Sequence, residues 1–295
     1  MLGLAKKKYA FPENARVIVT GAGSGIGRAF CLELARQKVR VLVVDIDEEA
    51  ARDTTWNLRE RGSEAHEYQC DVAHTEQVRA MVERAVELFG GVDVLINNAG
   101  VAAVGDMGEI SLEDWKWNVD INLWGVVYGC HHVLPHMKAQ NYGVIINVAS
   151  VAAVVSGAMM SPYNVTKAGV LSLSETLNVE LHQFGIGVTA LLPAFVRTSI
   201  VEKSRASSHS YLQAGSRLLR DHGSTPELVA RKTLRAAEKG KLYAFPHALG
   251  SNLWRLKRFA PELFSGLSKR LYESSWYQKQ LDLAVNEDGA VKREN

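Results

Sequence analysis

Tyr163 and Lys167 stand four residues apart in the run Tyr163-Asn164-Val165-Thr166-Lys167. On a helix that spacing puts both side chains on one face. An ammonium beside a phenol favours the phenolate and draws the phenol pKa down from ~10 toward neutral pH. Such a phenol can take or give a proton at working pH, which is general acid–base chemistry. Ser150 ends an apolar run just upstream and can hydrogen-bond the same substrate oxygen. Taken alone, a Tyr-x-x-x-Lys pair is most often a surface pair of little consequence. A second motif raises its weight.

That motif is Thr20-Gly21-Ala22-Gly23-Ser24-Gly25-Ile26-Gly27. It follows a strand-length apolar run at 16–20 and opens a helix-period segment at 26–37. Glycines there permit a tight turn and let backbone N–H groups approach a pyrophosphate, which a helix N-terminus also attracts. A lone glycine octamer is only a loop, so position decides. Asp45, at the end of the next apolar run, can accept hydrogen bonds from the two hydroxyls of an adenosine ribose and would repel a 2′-phosphate. Ser24 and Ile46 supply no cation to hold one, and Arg28, in the first helical turn, is the nearest. The expected cofactor is therefore NAD(H) rather than NADP(H).

These residues need a frame to hold them. Strand-length runs at 16–20, 39–45, 64–70, 92–97, 144–148, 186–192 and 241–245 alternate with helix-period segments at 26–37, 48–61, 75–89, 112–137, 162–184 and 226–239. Such alternation predicts a doubly wound α/β fold, a parallel sheet with helices on both faces. Thr75 is the expected cap of the third helix, and Thr225-Pro226-Glu227 marks the start of the sixth. Two segments, 197–224 and everything after Pro246, sit outside the alternation. With 295 residues, 47% hydrophobic and 22% charged, the chain excludes disorder and suits one full-sized domain at 1–249 with an extension at 250–295. A formal net charge of +2 provides no global reason to expect nucleic acid. The 3 cysteines lack ligand spacing, so neither a disulfide framework nor a metal site is expected. Residues 1–9 carry three lysines but no apolar segment after them, and the uncharged stretch 139–166 is interrupted by Asn, Ser, Gly and Pro. A cytoplasmic protein is the expectation.

Taken together, these motifs make the chain resemble the short-chain dehydrogenase/reductase family, in its single-domain branch, over about 15–246. The resemblance rests on Thr20–Gly27, Asp71-Val72, Asn97-Asn98-Ala99-Gly100, Asn122, Ser150, Tyr163–Lys167, and Pro193 with Thr198. It implies a Rossmann-type domain, with Tyr163 as general acid/base and Lys167 lowering its pKa while binding the nicotinamide ribose. It further implies that Ser150 orients the substrate oxygen and that Asn122 holds a water linking Lys167 to a proton path. Gly21, Ser24, Gly25, Ile26, Gly27, Asp45, Asp71, Val72, Asn98, Ala99 and Gly100 become cofactor contacts, joined by Pro193, Val196 and Thr198, the last meeting the phosphate or carboxamide region. Two departures stand out. The chain has Pro193-Ala194 where the family usually has Pro-Gly, and the family's Asp-Gly-Gly ending is replaced by about 49 residues after Pro246.

Residues 151–162 should flank the reacting carbon; they carry no charge and are mostly apolar. Ala152, Met160 and Phe195, with Ser150 and Tyr163, are the candidate substrate contacts. An apolar pocket with few polar groups suits a hydrophobic secondary alcohol or ketone. The segment 199–224 occupies the place of a mobile lid and is read as a solvated loop with a mild basic excess. The reading is an NAD(H)-dependent alcohol dehydrogenase or ketoreductase; a dehydratase or epimerase on the same scaffold, or a non-catalytic dinucleotide sensor or assembly protein, is the alternative. His131, His132 and His136 read as packed or surface histidines, and Cys70 and Cys130 as core fillers. The helices at 112–137, with Trp115, Trp117 and Trp124, and at 162–184 carry more apolar and aromatic residues than one sheet face needs, and the resemblance implies that subunits pair through them into a homodimer or homotetramer. At the C-terminus, Trp254, Phe259, Leu263, Phe264, Leu267 and Leu271 recur at near-helical spacing among Arg255, Lys257, Arg258, Lys269 and Arg270. Pro261 should split them into two helices. Packing on the same domain or a neighbouring subunit is the reading adopted, with a membrane surface, helped by Lys6, Lys7 and Lys8, as the alternative; the tail after Leu283 should fray.

Overall fold

The computed structural model describes residues 9–275; Lys6, Lys7, Lys8 and the tail after Leu283 lie outside them. Nine strands and eleven helices alternate along these residues. The strands are β1 Arg16–Thr20, β2 Arg40–Asp45, β3 Glu64–Gln69, β4 Val94–Asn97, β5 Ala103–Val104, β6 Gly143–Val148, β7 Ile186–Leu191, β8 Arg205–Ala206 and β9 Tyr243–Ala244. The helices are α1 Gly25–Leu34, α2 Glu48–Arg59, α3 Thr75–Phe89, α4 Leu112–Val119, α5 Gly125–Gln140, α6 Ala152–Val155, α7 Ser161–Glu180, α8 His209–His222, α9 Pro226–Glu238, α10 Ala248–Phe259 and α11 Pro261–Glu273. Seven strands form one sheet in the order β3-β2-β1-β4-β6-β7-β9, and every pairing is parallel. Each crossover carries a helix across a face, which is why the central strands are apolar at every position rather than at alternate ones.

Strand periodicity divides those apolar residues between two cores. Val17, Val19, Val41, Val43 and Ile96 face α1 and α9 on one side. Ile18, Leu42, Val44, Leu95 and Ile145 face α3, α5 and α7 on the other. Burying each such side chain contributes roughly 1.5–3 kcal/mol. Cys31, Cys70 and Cys130 are buried in these cores, and burial pushes each thiol up to about 12, so they act as packing groups. The order of connection reverses between β1 and β4, which opens a crevice at their carboxyl ends.

Several details differ from the sequence reading. The helix expected over 112–137 is α4 and α5 joined by a widened turn of i→i+5 hydrogen bonding at Asp120–Trp124, which carries Asn122. His74, not Thr75, is the N-cap of α3; the Thr75 hydroxyl is 2.9 Å from Nε2 of His132, a tertiary contact that local pattern could not reveal. Thr225 does cap α9, accepting from the Leu228 N–H. The final strand is shorter than 241–245, since only Tyr243 and Ala244 pair with β7. The segment 197–224 is not plain loop: β8 pairs with β5 as a small second sheet, followed by α8. Pro261 starts α11 as expected, and Trp254 and Phe264 pack inward while Phe259, Leu263, Leu267 and Leu271 stay exposed.

Candidate active site

The cleft at the switch point is built first by backbone. β1 ends at Thr20, and the glycine loop turns directly into α1. Gly25 has φ +53°, in the left-handed region that favours glycine. A Cβ on Gly27 would lie 2.1 Å from the Gly21 carbonyl oxygen, so only glycine lets the helix fold back so close beneath the loop. Thr20 Oγ1 accepts from the N–H groups of Asn98 (3.0 Å) and Ala99 (3.1 Å), while Asn98 Nδ2 donates to the carbonyls of Thr20 (2.9 Å) and Gly21 (3.0 Å). The β1 and β4 ends are thereby locked together. From outside, the Thr54 hydroxyl donates to the Ala22 carbonyl at 3.0 Å.

Asp45 is buried, and its carboxylate is already half engaged: Oδ2 accepts from Gly23 N–H at 2.8 Å and Oδ1 from Asp47 N–H at 3.1 Å. It therefore also holds the glycine loop, a role the sequence does not reveal. Gly21, Ser24, Gly25, Ile26 and Asp45 line one end of the cleft. Asp71, Val72, Asn98, Ala99 and Gly100 line its flank, and Tyr163, Lys167 and Pro193 its far end. Thr198 also lines it, close against Gly25, where an added Cβ would meet its Cγ2 at 3.1 Å. Gly27 lies beneath the loop and is not part of the lining. Val196 is buried in the core and pairs through its backbone with Ser224. The chain also supplies a cation that local sequence hid. Lys203 lines the cleft and its Nζ donates to Ser24 Oγ at 3.4 Å, arriving from the lid segment.

At the far end, Ser150 follows β6 and Tyr163 sits in the first turn of α7. The Ser150 hydroxyl accepts from Ala152 N–H at 3.1 Å and hydrogen-bonds the Tyr163 phenol. Lys167 Nζ donates to the Val148 carbonyl at 2.9 Å and lies 5.6 Å from the Tyr163 ring centroid. The expected depression of the phenol pKa is not what the protein alone produces. Burial pushes Tyr163 above its ordinary value, opposed only by the Ser150 hydrogen bond. Burial also lowers Lys167 to about 8, so its charge is only partly present where it would help the phenolate. Of the other candidates, Ala152 opens α6, Met160 pairs through its backbone with Gly105, and Phe195 is exposed; none of them, nor Ser150, is among the residues that line this cleft.

The lysine value has a consequence for stability. Between about 8 and its usual 10.5 the unfolded chain holds the Lys167 proton and the folded chain does not. Stability must then rise with pH across that window. In protein without added cofactor, Lys167→Met is expected to be the more stable form at neutral pH. Its advantage should shrink by roughly 3 kcal/mol as pH climbs through the window. Urea denaturation of both proteins at several pH values checks this, and an advantage independent of pH would contradict it.

Asn122 is held by a network that spacing alone did not show. Its Nδ2 donates to the Val101 carbonyl (2.8 Å) and to Asn118 Oδ1 (3.0 Å), and its Oδ1 accepts from Val101 N–H (2.8 Å). Asn118 Oδ1 also accepts from the Thr166 hydroxyl at 3.1 Å. Asn118, Asn122 and Thr166 are all fully buried. Gly100 keeps the space between them and the lysine open, since a Cβ there would meet Asn122 Oδ1 at 3.1 Å and Lys167 Nζ at 3.3 Å. Asn118 is thus a positioning residue. Asn118→Leu removes the acceptor that orients both partners. It is expected to cost ~1–3 kcal/mol of stability and to lower kcat by roughly 10- to 100-fold through misplacement. Steady-state kinetics across pH with cofactor KM as control would test this; an unchanged kcat would remove Asn118 from the site.

Comparison with known proteins bears on this geometry. Residues 15–209 match the short chain dehydrogenase family. The chain is 33% identical over 219 residues to cyclohexanol dehydrogenase of Acinetobacter sp. strain SE19, covering 74% of this chain and 85% of that one. It is 36% identical over 186 residues to 3beta-hydroxysteroid dehydrogenase 1 of Eggerthella lenta, covering 62% and 71%. Among solved structures, a short chain dehydrogenase/reductase from Burkholderia phymatum in complex with NAD superposes with a TM-score of 0.81 at 35% identity, covering 86% of this chain and 96% of that one. With its all-parallel main sheet, its glycine loop at the switch point, Tyr163 and Lys167 in the same cleft and Ser150 beside the phenol, the chain belongs to the short-chain dehydrogenase/reductase family.

Proposed function

We propose that this chain is an NAD(H)-dependent oxidoreductase acting between a hydrophobic secondary alcohol and its ketone. The observation that carries the reading is one continuous cleft with the Asp45 carboxylate at one end and the Tyr163 phenol at the other. The residues fit a dinucleotide: a Cβ on Gly27 would close the loop's turn, and the Asp45 carboxylate offers acceptors for ribose hydroxyls. Bound there, NAD would supply the hydride acceptor or donor. Gly21, Ser24, Gly25 and Ile26 would hold its pyrophosphate with Lys203 beside Ser24, Asp71, Val72 and Asn98 to Gly100 its adenosine half, Pro193 the nicotinamide side, and Thr198, next to Gly25, the phosphate or carboxamide region.

Tyr163 acts as the base in alcohol oxidation and as the acid in ketone reduction. Ser150 holds the substrate oxygen against the phenol. Lys167 binds the ribose beside it, and Asn122 connects the lysine to the proton path past Gly100. Because burial raises the phenol pKa, reduction should hold constant through neutral pH, while oxidation should climb with pH as the phenolate forms. The apolar segment with Ala152 and Met160, together with Phe195, forms the substrate wall. The names of relatives that act on cyclohexanol and hydroxysteroids support an apolar ring or chain as substrate. Leu112, Trp124, Val165 and Val179 remain exposed on α4, the widened turn and α7, which supports pairing of subunits through these helices into a homo-oligomer. Turnover of NAD⁺ with a panel of apolar secondary alcohols, and of NADH with their ketones, tests the reading. No turnover with any pair would remove it in favour of a dehydratase, an epimerase or a binding role.

A further inference from the structure

The helices α10 and α11 lie beyond the stretch that matches the family, residues 15–209. One side of the pair is anchored. Trp254 packs on Tyr243 (5.3 Å between ring centroids) and Phe245 (5.7 Å), and Phe264 is buried with Lys257 Nζ 5.8 Å from its ring. α10 also packs against α6, the helix that begins two residues after Ser150. The other side has no cover among the described residues. Leu249 is 55% exposed, Phe259 83%, Leu263 56%, Leu267 47% and Leu271 54%.

Leu263, Leu267 and Leu271 recur every four residues and so form one stripe along α11, which Phe259 extends at the junction of the helices. Single exposed leucines are ordinary on a protein surface; a run of large apolar residues within two adjacent helices is not. The pair as a whole is basic: Arg255, Arg258, Lys269 and Arg270 are exposed, against Glu262 and Glu273. Arg270, seven residues after Leu263, lies beside the stripe, whereas Lys269 is on the far face of α11 and Arg258 lies over the Trp254 ring at 5.6 Å. A second copy docking by two-fold symmetry would bring this patch against itself and set its cations face to face, a costly juxtaposition. An anionic lipid surface complements both features, taking the apolar stripe into the headgroup boundary and the cations into the lipid phosphates. Among the described residues, no helix is long and apolar enough to cross a membrane, so the pair would lie on the surface rather than span it.

We propose that the α10–α11 face docks the protein onto an anionic membrane surface. Because the anchored side of the pair packs against α6, just after Ser150, docking would hold the substrate side of the molecule close to the bilayer, so that an apolar alcohol or ketone passes between bilayer and site; this last step rests on the function proposed above. The test is co-sedimentation of the full chain with phosphatidylcholine vesicles made with or without phosphatidylglycerol. The expected result is pelleting with the anionic vesicles, weakened about tenfold or more by high salt or by leaving out the anionic lipid. The triple variant Leu263→Gln, Leu267→Gln, Leu271→Gln, changed only at exposed positions, should lose vesicle binding and keep its melting temperature. A chain ending at Ser275 should keep vesicle binding.

No pelleting by the unaltered chain, or equal pelleting by the triple variant, overturns the proposal. So does a triple variant whose oligomer falls apart in plain buffer by sedimentation velocity, because a second copy would then be the occupant. Turnover separates the two readings. The variant should oxidise a water-soluble secondary alcohol at the normal rate and a long-chain secondary alcohol dissolved in vesicles more slowly. Vesicle binding without turnover of either alcohol defeats the proposed reaction alone, and turnover of both without vesicle binding defeats the docking surface alone.

Discussion

Tyr163→Phe is expected to lower kcat by ~10²–10⁴, the usual worth of a positioned general acid or base, while NAD⁺ still binds. The substitution deletes one hydroxyl and keeps a ring of the same shape in the first turn of α7. What disappears is the group proposed to exchange the substrate proton and the partner of the Ser150 hydroxyl. The cleft lining near the glycine loop and Asp45 is untouched. Stopped-flow or steady-state rates with a good alcohol, beside calorimetric NAD⁺ binding, measure the two halves separately. A variant that retained near-normal kcat would show that the proton leaves by another route.

The second large effect concerns cofactor choice. A 2′-phosphate placed against the buried Asp45 carboxylate sets like charges together, which costs several kcal/mol. Every 1.4 kcal/mol is about tenfold, so kcat/KM should favour NAD⁺ over NADP⁺ by roughly 10²-fold or more. Asp45→Ala with Ile46→Arg should narrow or reverse the preference. The carboxylate also accepts from Gly23 and Asp47 N–H groups, so that variant loosens the glycine loop as well. Asp45→Asn separates the effects, because it keeps an acceptor for the loop and removes the charge. Equal use of NADP⁺ by the unaltered protein would refute the prediction and implicate Arg28 or Lys203, whose Nζ reaches Ser24.

Local sequence determined what local physics controls. Short continuous apolar runs alternating with helix-period segments specify β–α–β repeats, and the glycine octamer lies where a strand must turn into a helix. Four-residue spacing on α7 puts Tyr163 and Lys167 on one face whatever surrounds them. Pro261 splits the C-terminal helices because it has no N–H to donate to the turn before it.

Only the tertiary structure decided what depends on neighbours distant in the chain. The lowered pKa of Lys167 and the raised pKa of Tyr163 are both effects of burial, and burial is a property of the packed protein rather than of a pentapeptide. Asn118 carries no motif; it matters because the widened turn at Asp120–Trp124 and α7 bring it between Asn122 and Thr166. Lys203 reaches Ser24 across 179 positions of sequence, and Thr75 finds His132 instead of capping its helix. The C-terminal stripe is the same case in reverse. Its spacing announces an apolar face, but whether that face is covered depends on what lies opposite, and Trp254 and Phe264 are covered while Leu263, Leu267 and Leu271 stay exposed among the described residues.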